Sequence, residues 1–414
     1  MSAPRGYATA LLGILAATSL VAMLVNTTVN PWRVTPMPWS SKALECSRDI
    51  TSQARTCKAG LIRSNAEIGV GIFGSSRVAN GMDPEYKGWG RDDVYNFGCV
   101  GGFFYEAEAL ARYFLEHEPA QTVLFGIDPG DLSSDIDTRP LADFYGSPLA
   151  GGRGQFDREL RYLVGISTLE ASVETLRRAA RKNPPEYTPQ GLHRRLEKRR
   201  KKSQRHYIRM HLAGEAAFDL PDPSRFGKNV GLNPDKAKRL ESLMRECRRR
   251  NVRMVVFFHP QHALLNARAS DAADTPVLFE YERRGILDLV ARANAEDLPG
   301  PPVEFWDFYD SHPLNCDPVP DEHSRMPHWN DLGHYTIQMG NLLQARMMGL
   351  PLPPGLPGTE NYGERVTPEN LAAHLERIRT TYRRYLTQDG RKDVAWKEKI
   401  VEKTKETRDK KQDR

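Results

Sequence analysis

The chain has 414 residues, 39% of them hydrophobic and 27% charged, with a formal net charge of +6. This balance fits a globular protein with solvated appendages and excludes a wholly disordered chain. The five cysteines (Cys46, Cys57, Cys99, Cys247, Cys316) have neither Cys-x-x-Cys nor Cys/His zinc spacing, and no nucleic-acid reading motif accompanies the basic residues, so neither a metal, a cofactor nor a nucleic acid is expected.

Ala8 to Val25 is 18 residues without a charge, about the minimum for a bilayer-spanning helix. It exceeds the apolar core of a cleaved leader, and no Ala-x-Ala site with a polar start follows it. A retained signal anchor over residues 1–25 is therefore expected, with a removed signal peptide as the alternative. Arg5 and the amino terminus supply the positive inside flank, opposed by Arg33, which places the rest of the chain outside the cytoplasm, periplasmic or at the cell surface. Residues 26–64 are rich in Pro, Ser and Thr and read as a tether. Within it Trp32 and Trp39 suit either the lipid headgroup level or an ordinary loop. Cys46 and Cys57 are close enough for a local disulfide in an oxidising compartment.

From Glu67 an α/β pattern begins. Ile68–Phe73, Val94–Phe97, Thr122–Ile127, Val252–Phe258 and Pro302–Phe308 are short apolar runs that predict five strands. Helices are predicted at Phe104–His117, at about Pro234–Arg250, near Leu278–Asn294, and in the run beginning at Tyr335. Such alternation predicts a mostly parallel sheet covered by helices, filling a domain over residues 65–350. Residues 130–235 form an insertion too long for a structureless loop, with helix expected over Asp157–Arg181. Within it, His193–His206 carries eight Lys or Arg and suits a solvated face or contact with anionic lipid or polymer. Residues 351–414 read as a Pro/Gly linker, a helix near Pro368–Tyr385, and a charged tail with little apolar content.

Gly74-Ser75-Ser76-Arg77 follows the first strand directly, so a serine hydroxyl emerges at its carboxyl end, where open α/β sheets gather ligands. A helix N-cap is the structural alternative for these serines. Far along the chain, His328-Trp-Asn-Asp331-Leu-Gly-His334 precedes a helical run. An Asp and a His three apart can work together, the Asp orienting the His and the His activating a serine. Their bland roles are helix N-cap and first-turn residue.

Taken together, Gly74-Ser75-Ser76 and Asp331-Leu332-Gly333-His334 resemble the first and last blocks of the SGNH/GDSL hydrolase superfamily. The nearest likeness is to its membrane-anchored extracytoplasmic members, which help to acylate polysaccharides or teichoic acids. The resemblance spans residues 67 to about 350. It implies a three-layer, flavodoxin-like fold around a parallel five-stranded sheet, with Ser76 as nucleophile, His334 as base and Asp331 as its partner. Ser75 stands in the place of the family's acidic residue and is the fallback nucleophile. Oxyanion donors are sought in the Ser76 and Gly98 or Gly101 N–H groups, with Asn96 as a substitute for the family's Gly-x-Asn-Asp asparagine. The third strand here ends Gly126-Ile-Asp128 instead, and an ionised carboxylate cannot donate. Arg77 has Asp83, Asp128 or an anionic substrate as candidate partners, and His259 is a candidate for the substrate groove. The resemblance also implies serine-dependent acyl transfer to a cell-surface polymer, beside a multi-pass membrane acyltransferase. A simple esterase and a catalytically degenerate glycan-binding domain are the alternatives.

Overall fold

The computed structural model describes all residues except 1–2, 36, 49, 51–52, 65–66, 134–139, 141, 153, 183, 195–201, 218–230, 357 and 413–414. Residues 195–201, half of the basic stretch at 193–206, thus fall outside the described residues, as does the side chain of Cys46 and with it the expected Cys46–Cys57 bridge.

The strands are β1 (Val70–Phe73), β2 (Val94–Asn96), β3 (Thr122–Ile127), β4 (Arg253–Phe258), β5 (Glu304–Asp307), β6 (Trp329–Asp331), β7 (His334–Tyr335) and β8 (Glu364–Arg365). The helices, with the terminal one first, are α1 (Ala3–Val29), α2 (Ala54–Ser64), α3 (Ser76–Gly81), α4 (Phe104–His117), α5 (Ala142–Tyr145), α6 (Gln155–Val164) and α7 (Ile166–Ala180). They continue with α8 (Gln204–Ala217), α9 (Pro234–Arg249), α10 (Glu280–Asn294), α11 (Ile337–Met348), α12 (Leu371–Arg384) and α13 (Arg391–Gln412).

The main sheet runs β2-β1-β3-β4-β5-β8, parallel through β5. Every residue of β1 and β3 is buried, the pattern of parallel strands covered on both faces. The sheet has six strands where five are predicted. The extra one, β8, pairs antiparallel with β5 through only Trp306↔Arg365 and Asp307↔Glu364, too short a segment to leave a period in the sequence. The strand order reverses direction at β1, so right-handed crossovers place the flanking helices on opposite faces. Such a switch point is where the ligand crevice of an open α/β sheet lies, beyond the carboxyl ends of β1 and β3.

Two close approaches bring distant segments to that crevice. Gly74 leaves β1 at φ 153°, and a Cβ there would lie 2.6 Å from Val78 and 3.1 Å from the Gly126 carbonyl. The chain can therefore turn tightly into α3. A Cβ on Gly340 would lie 1.8 Å from the Gly81 carbonyl oxygen. Helix α11 thus seats backbone to backbone on α3, and draws the segment before it over Ser76.

The segment read as a tether is folded. Helix α2 is buried from Ala54 to Ile62. Its polar composition is misleading because the charges are paired inside. Arg55 clasps Glu106 with bonds of 3.0 and 2.9 Å, and the Lys58 ammonium donates to the Asn96 and Gly191 carbonyls at 2.7 and 2.5 Å. Trp32 is likewise buried, edge-on to Tyr162 at 6.0 Å, so protein rather than solvent or lipid surrounds it; Trp39 is exposed.

Residues 157–181 form two helices, α6 and α7, because Gly165 breaks the run. The last stretch, for which the sequence suggests a frayed helix or a disordered tail, is the 22-residue helix α13 packed on α8. Val394 is buried in the main core, and the Lys397 ammonium donates to the Leu264 and Ala267 carbonyls at 3.0 Å each. A few side chains facing inward suffice to hold a helix whose composition is otherwise polar.

Candidate active site

Ser76 is the first residue of α3, and Ser75 caps that helix by accepting from the Arg77 N–H at 3.2 Å. The capping role thus falls to Ser75. Ser76 Oγ is left to face His334, 2.8 Å from its Nε2. The fallback nucleophile is therefore occupied structurally, and the first choice has the imidazole.

Asp331 and His334 do not open a helix, as the apolar spacing after Tyr335 predicts. They face each other across the two-stranded β6–β7 hairpin, and α11 begins only at Ile337 with Thr336 as its N-cap. Asp331 Oδ1 accepts from the Gly333 N–H at 3.0 Å, the His334 N–H at 2.9 Å and His334 Nδ1 at 2.8 Å. A carboxylate only accepts, so Nδ1 carries the proton and Nε2 is left as the acceptor for Ser76. The relay stays accessible, with the His334 and Asp331 side chains 27% and 20% exposed.

The hairpin is held from several sides. Gln204, at the start of α8, donates to the Trp329 and Asn330 carbonyls at 2.8 and 3.0 Å, so the insertion supports the site. Arg77 Nε donates to the Gly333 carbonyl at 2.8 Å while its Nη1 pairs with Asp128 at 2.8 Å. Of the candidate partners for Arg77, the structure selects Asp128. Burial opposes ionisation of Asp128, but Arg77 and the Ser75 hydroxyl outweigh it and hold its carboxyl below the usual range.

His259 is fully buried behind the relay and does not line an open groove. The Tyr335 hydroxyl, kept protonated by burial, donates to its Nδ1 at 3.2 Å. Its Nε2 then bears the proton and points toward Asp128 Oδ1 at 3.9 Å, beyond hydrogen-bond reach; neither atom has a hydrogen-bond partner. Tyr335, His259, Asp128 and Arg77 so form a series of polar groups that ends on the Gly333 carbonyl, next to His334. Sequence reading gave Tyr335 to an apolar helix face, and only its place directly after His334 hints at this role.

Burial lowers the His259 pKa to about 3, against the pull of Asp128. A depressed histidine binds its proton first in the unfolded chain, so stability is complete at neutral pH and falls as pH drops from about 6.5 toward 3. This one group contributes a slope of up to ~1.4 kcal/mol per pH unit across that window. Denaturant unfolding followed from neutral to acid pH should show a shallower decline for His259→Gln than for the parent chain. Equal slopes would show that the imidazole is not held neutral.

Two expected oxyanion donors are otherwise engaged. Asn96 Nδ2 donates to the Val78 and Met82 carbonyls, both at 2.7 Å, and its Oδ1 accepts from the Gly98 N–H at 2.9 Å. Asn96 and Gly98 therefore brace α3 against β2. The Ser76 N–H, first in its helix, has no intrahelical acceptor. Gly101 sits exposed in a turn at φ 67°. Asn80, not foreseen from sequence, donates to the Ser76 carbonyl at 2.6 Å, and its Oδ1 accepts from His193 Nδ1 at 2.6 Å, tying the insertion to α3. No protein-family model matches the chain, and no curated protein matches it.

Proposed function

We propose that this protein is a membrane-anchored, SGNH-like enzyme that transfers an acyl group through Ser76 to a hydroxyl of a cell-surface polysaccharide or polymer. The observation that carries the reading is the continuous Ser76–His334–Asp331 hydrogen-bond relay at the crevice where the strand order reverses. In the first half-reaction His334 Nε2 takes the Ser76 proton as Oγ attacks the acyl carbonyl. The bond to the leaving oxygen then breaks, and that oxygen takes the proton back from Nε2. In the second half, an acceptor hydroxyl gives its proton to Nε2 and attacks the acyl carbonyl; the bond to Ser76 Oγ breaks, and Nε2 returns the proton to that oxygen. Asp331 keeps Nδ1 protonated and the ring oriented throughout. The Ser76 and Gly101 N–H groups are the oxyanion donors in this scheme.

Helix α1, apolar over Gly6–Val29 and long enough to cross a membrane, is the anchor in this reading. The folded remainder lies outside the cytoplasm, and a multi-pass acyltransferase in the same membrane is the acyl source. A reporter active only outside the cytoplasm, fused after Arg414, should be functional; signal from a cytoplasm-only reporter would reverse the orientation. The solvent access of His334 favours hydrolysis as the second reading, with water as the acceptor. Product analysis with a glycan acceptor present separates the two, since transfer yields acylated glycan and hydrolysis the free acid.

Asp331→Asn should lower acyl-enzyme formation by roughly a thousand- to ten-thousand-fold, because an amide can stabilise the wrong imidazole tautomer. Rapid-quench measurement of the acylated chain reads this directly. Loss of less than about tenfold would remove Asp331 from the relay.

A further inference from the structure

Helix α1 changes character along its length. Leu20, Val21 and Leu24 are 62%, 62% and 64% exposed, whereas Asn26, Thr27 and Val29 are buried. What covers the end of α1 is the corner between α6 and α7: Asn26 Nδ2 donates to the Leu163 carbonyl, and Ser172 Oγ donates to Asn26 Oδ1, both at 3.0 Å. That corner is itself apolar toward solvent, with Phe156 78%, Leu160 46% and Ile166 77% exposed. At about 100° per residue, Phe156, Leu160, Leu163 and Val164 fall within roughly 100° of arc on α6, while Tyr162 packs inward. Single exposed apolar residues are ordinary. A stripe that runs along one helix up to the base of an apolar segment exposed over residues 6–21 is a continuous surface of another kind.

We propose that the α6–α7 corner is a second membrane contact, in which Phe156, Leu160 and Ile166 enter the interfacial layer of the same bilayer that α1 crosses. The occupant is lipid because the stripe continues the lipid-facing surface of α1 at the level where that helix turns polar. An amphipathic helix lying in the interface buries such a stripe and leaves its charged side to water. Asp157 and Arg161 follow that stripe on α6 and are exposed. The insertion would then fix the stance of the catalytic crevice above the membrane, since the same insertion holds the β6–β7 hairpin through Gln204. The proposal rests on the reading of α1 as a membrane anchor.

The test places a benzophenone amino acid at Phe156, at Ile166, at Leu15 within α1, and at exposed Arg284 on α10 as the aqueous baseline. Each full-length variant is reconstituted in phosphatidylethanolamine–phosphatidylglycerol vesicles that contain a clickable phospholipid, then irradiated. The expected result is lipid adducts several-fold above the Arg284 baseline at Leu15, Phe156 and Ile166 alike. Adducts at Leu15 alone would overturn the second contact and leave the anchor standing. Adducts at Phe156 and Ile166 without Leu15 would sustain the contact and overturn the anchor. Baseline yield at all three positions would overturn both. Protein–protein adducts in place of lipid adducts at Phe156 and Ile166 would give the surface to a second copy and overturn the proposal.

Discussion

Ser76→Ala should abolish acyl-enzyme formation and fluorophosphonate labelling, a loss of at least ~10³-fold in rate. The Ser76 hydroxyl has His334 Nε2 as its partner, 258 residues away, and the residue sits half-buried in the first turn of α3. Stability should therefore change by no more than about 0.5 kcal/mol. Ser75→Ala removes the α3 cap, so it should cost about 1 kcal/mol of stability while labelling persists. The two variants thus separate nucleophile from cap. Undiminished labelling of Ser76→Ala, with the adduct mapped to Ser75, would exchange the two roles.

Arg77→Met should produce the largest loss of stability near the site, about 3–5 kcal/mol. The Arg77 and Asp128 side chains are only 12% and 17% exposed, and removing the cation strands a carboxylate among buried groups. The same change takes the donor away from the Gly333 carbonyl, so His334 loses its support on one flank. Combining Arg77→Met with Asp128→Leu should restore most of the stability, because no charge is then left unpaired. It should not restore acylation, since Gly333 still lacks its partner. Chemical unfolding and single-turnover acylation, measured on both variants, check this. Recovery of both properties in the double variant would show that Arg77 only neutralises Asp128 and does not position the hairpin.

Much of the fold could be read from local pattern. The β3 and α4 ranges coincide with the predicted ones, and β1, β2, β4, β5, α9 and α10 shift by at most two residues at either end. These elements announce themselves through apolar runs or helical periodicity a few residues long. Elements with one inward residue in four, or two residues in all, carry no such period. Strand β8 is of the second kind and leaves no signal, and α13 is of the first, so its sequence suggests no more than a frayed helix or disordered tail. The buried, charge-bearing α2 was mistaken for a tether for a related reason: composition reports how polar a segment is, not whether its charges find partners such as Glu106 and the Asn96 carbonyl.

By itself, the sequence determined the run of parallel strands, the emergence of Ser76 at the end of β1, and the three-residue spacing that lets Asp331 reach His334. Each depends on backbone geometry over a few residues, and such geometry is local. Only the tertiary structure decided that Ser76 rather than Ser75 meets the imidazole, that Asp331 and His334 lie on a hairpin, and that Arg77 joins Asp128 to Gly333. It also decided that Asn96 and Gly98 brace α3 instead of facing a reacting oxygen. These outcomes turn on which donor meets which acceptor when separate segments pack together, some of them 258 residues apart. A hydrogen bond satisfied within the fold is no longer available to a substrate, and nothing in a residue's neighbours along the chain reports which bonds will be satisfied.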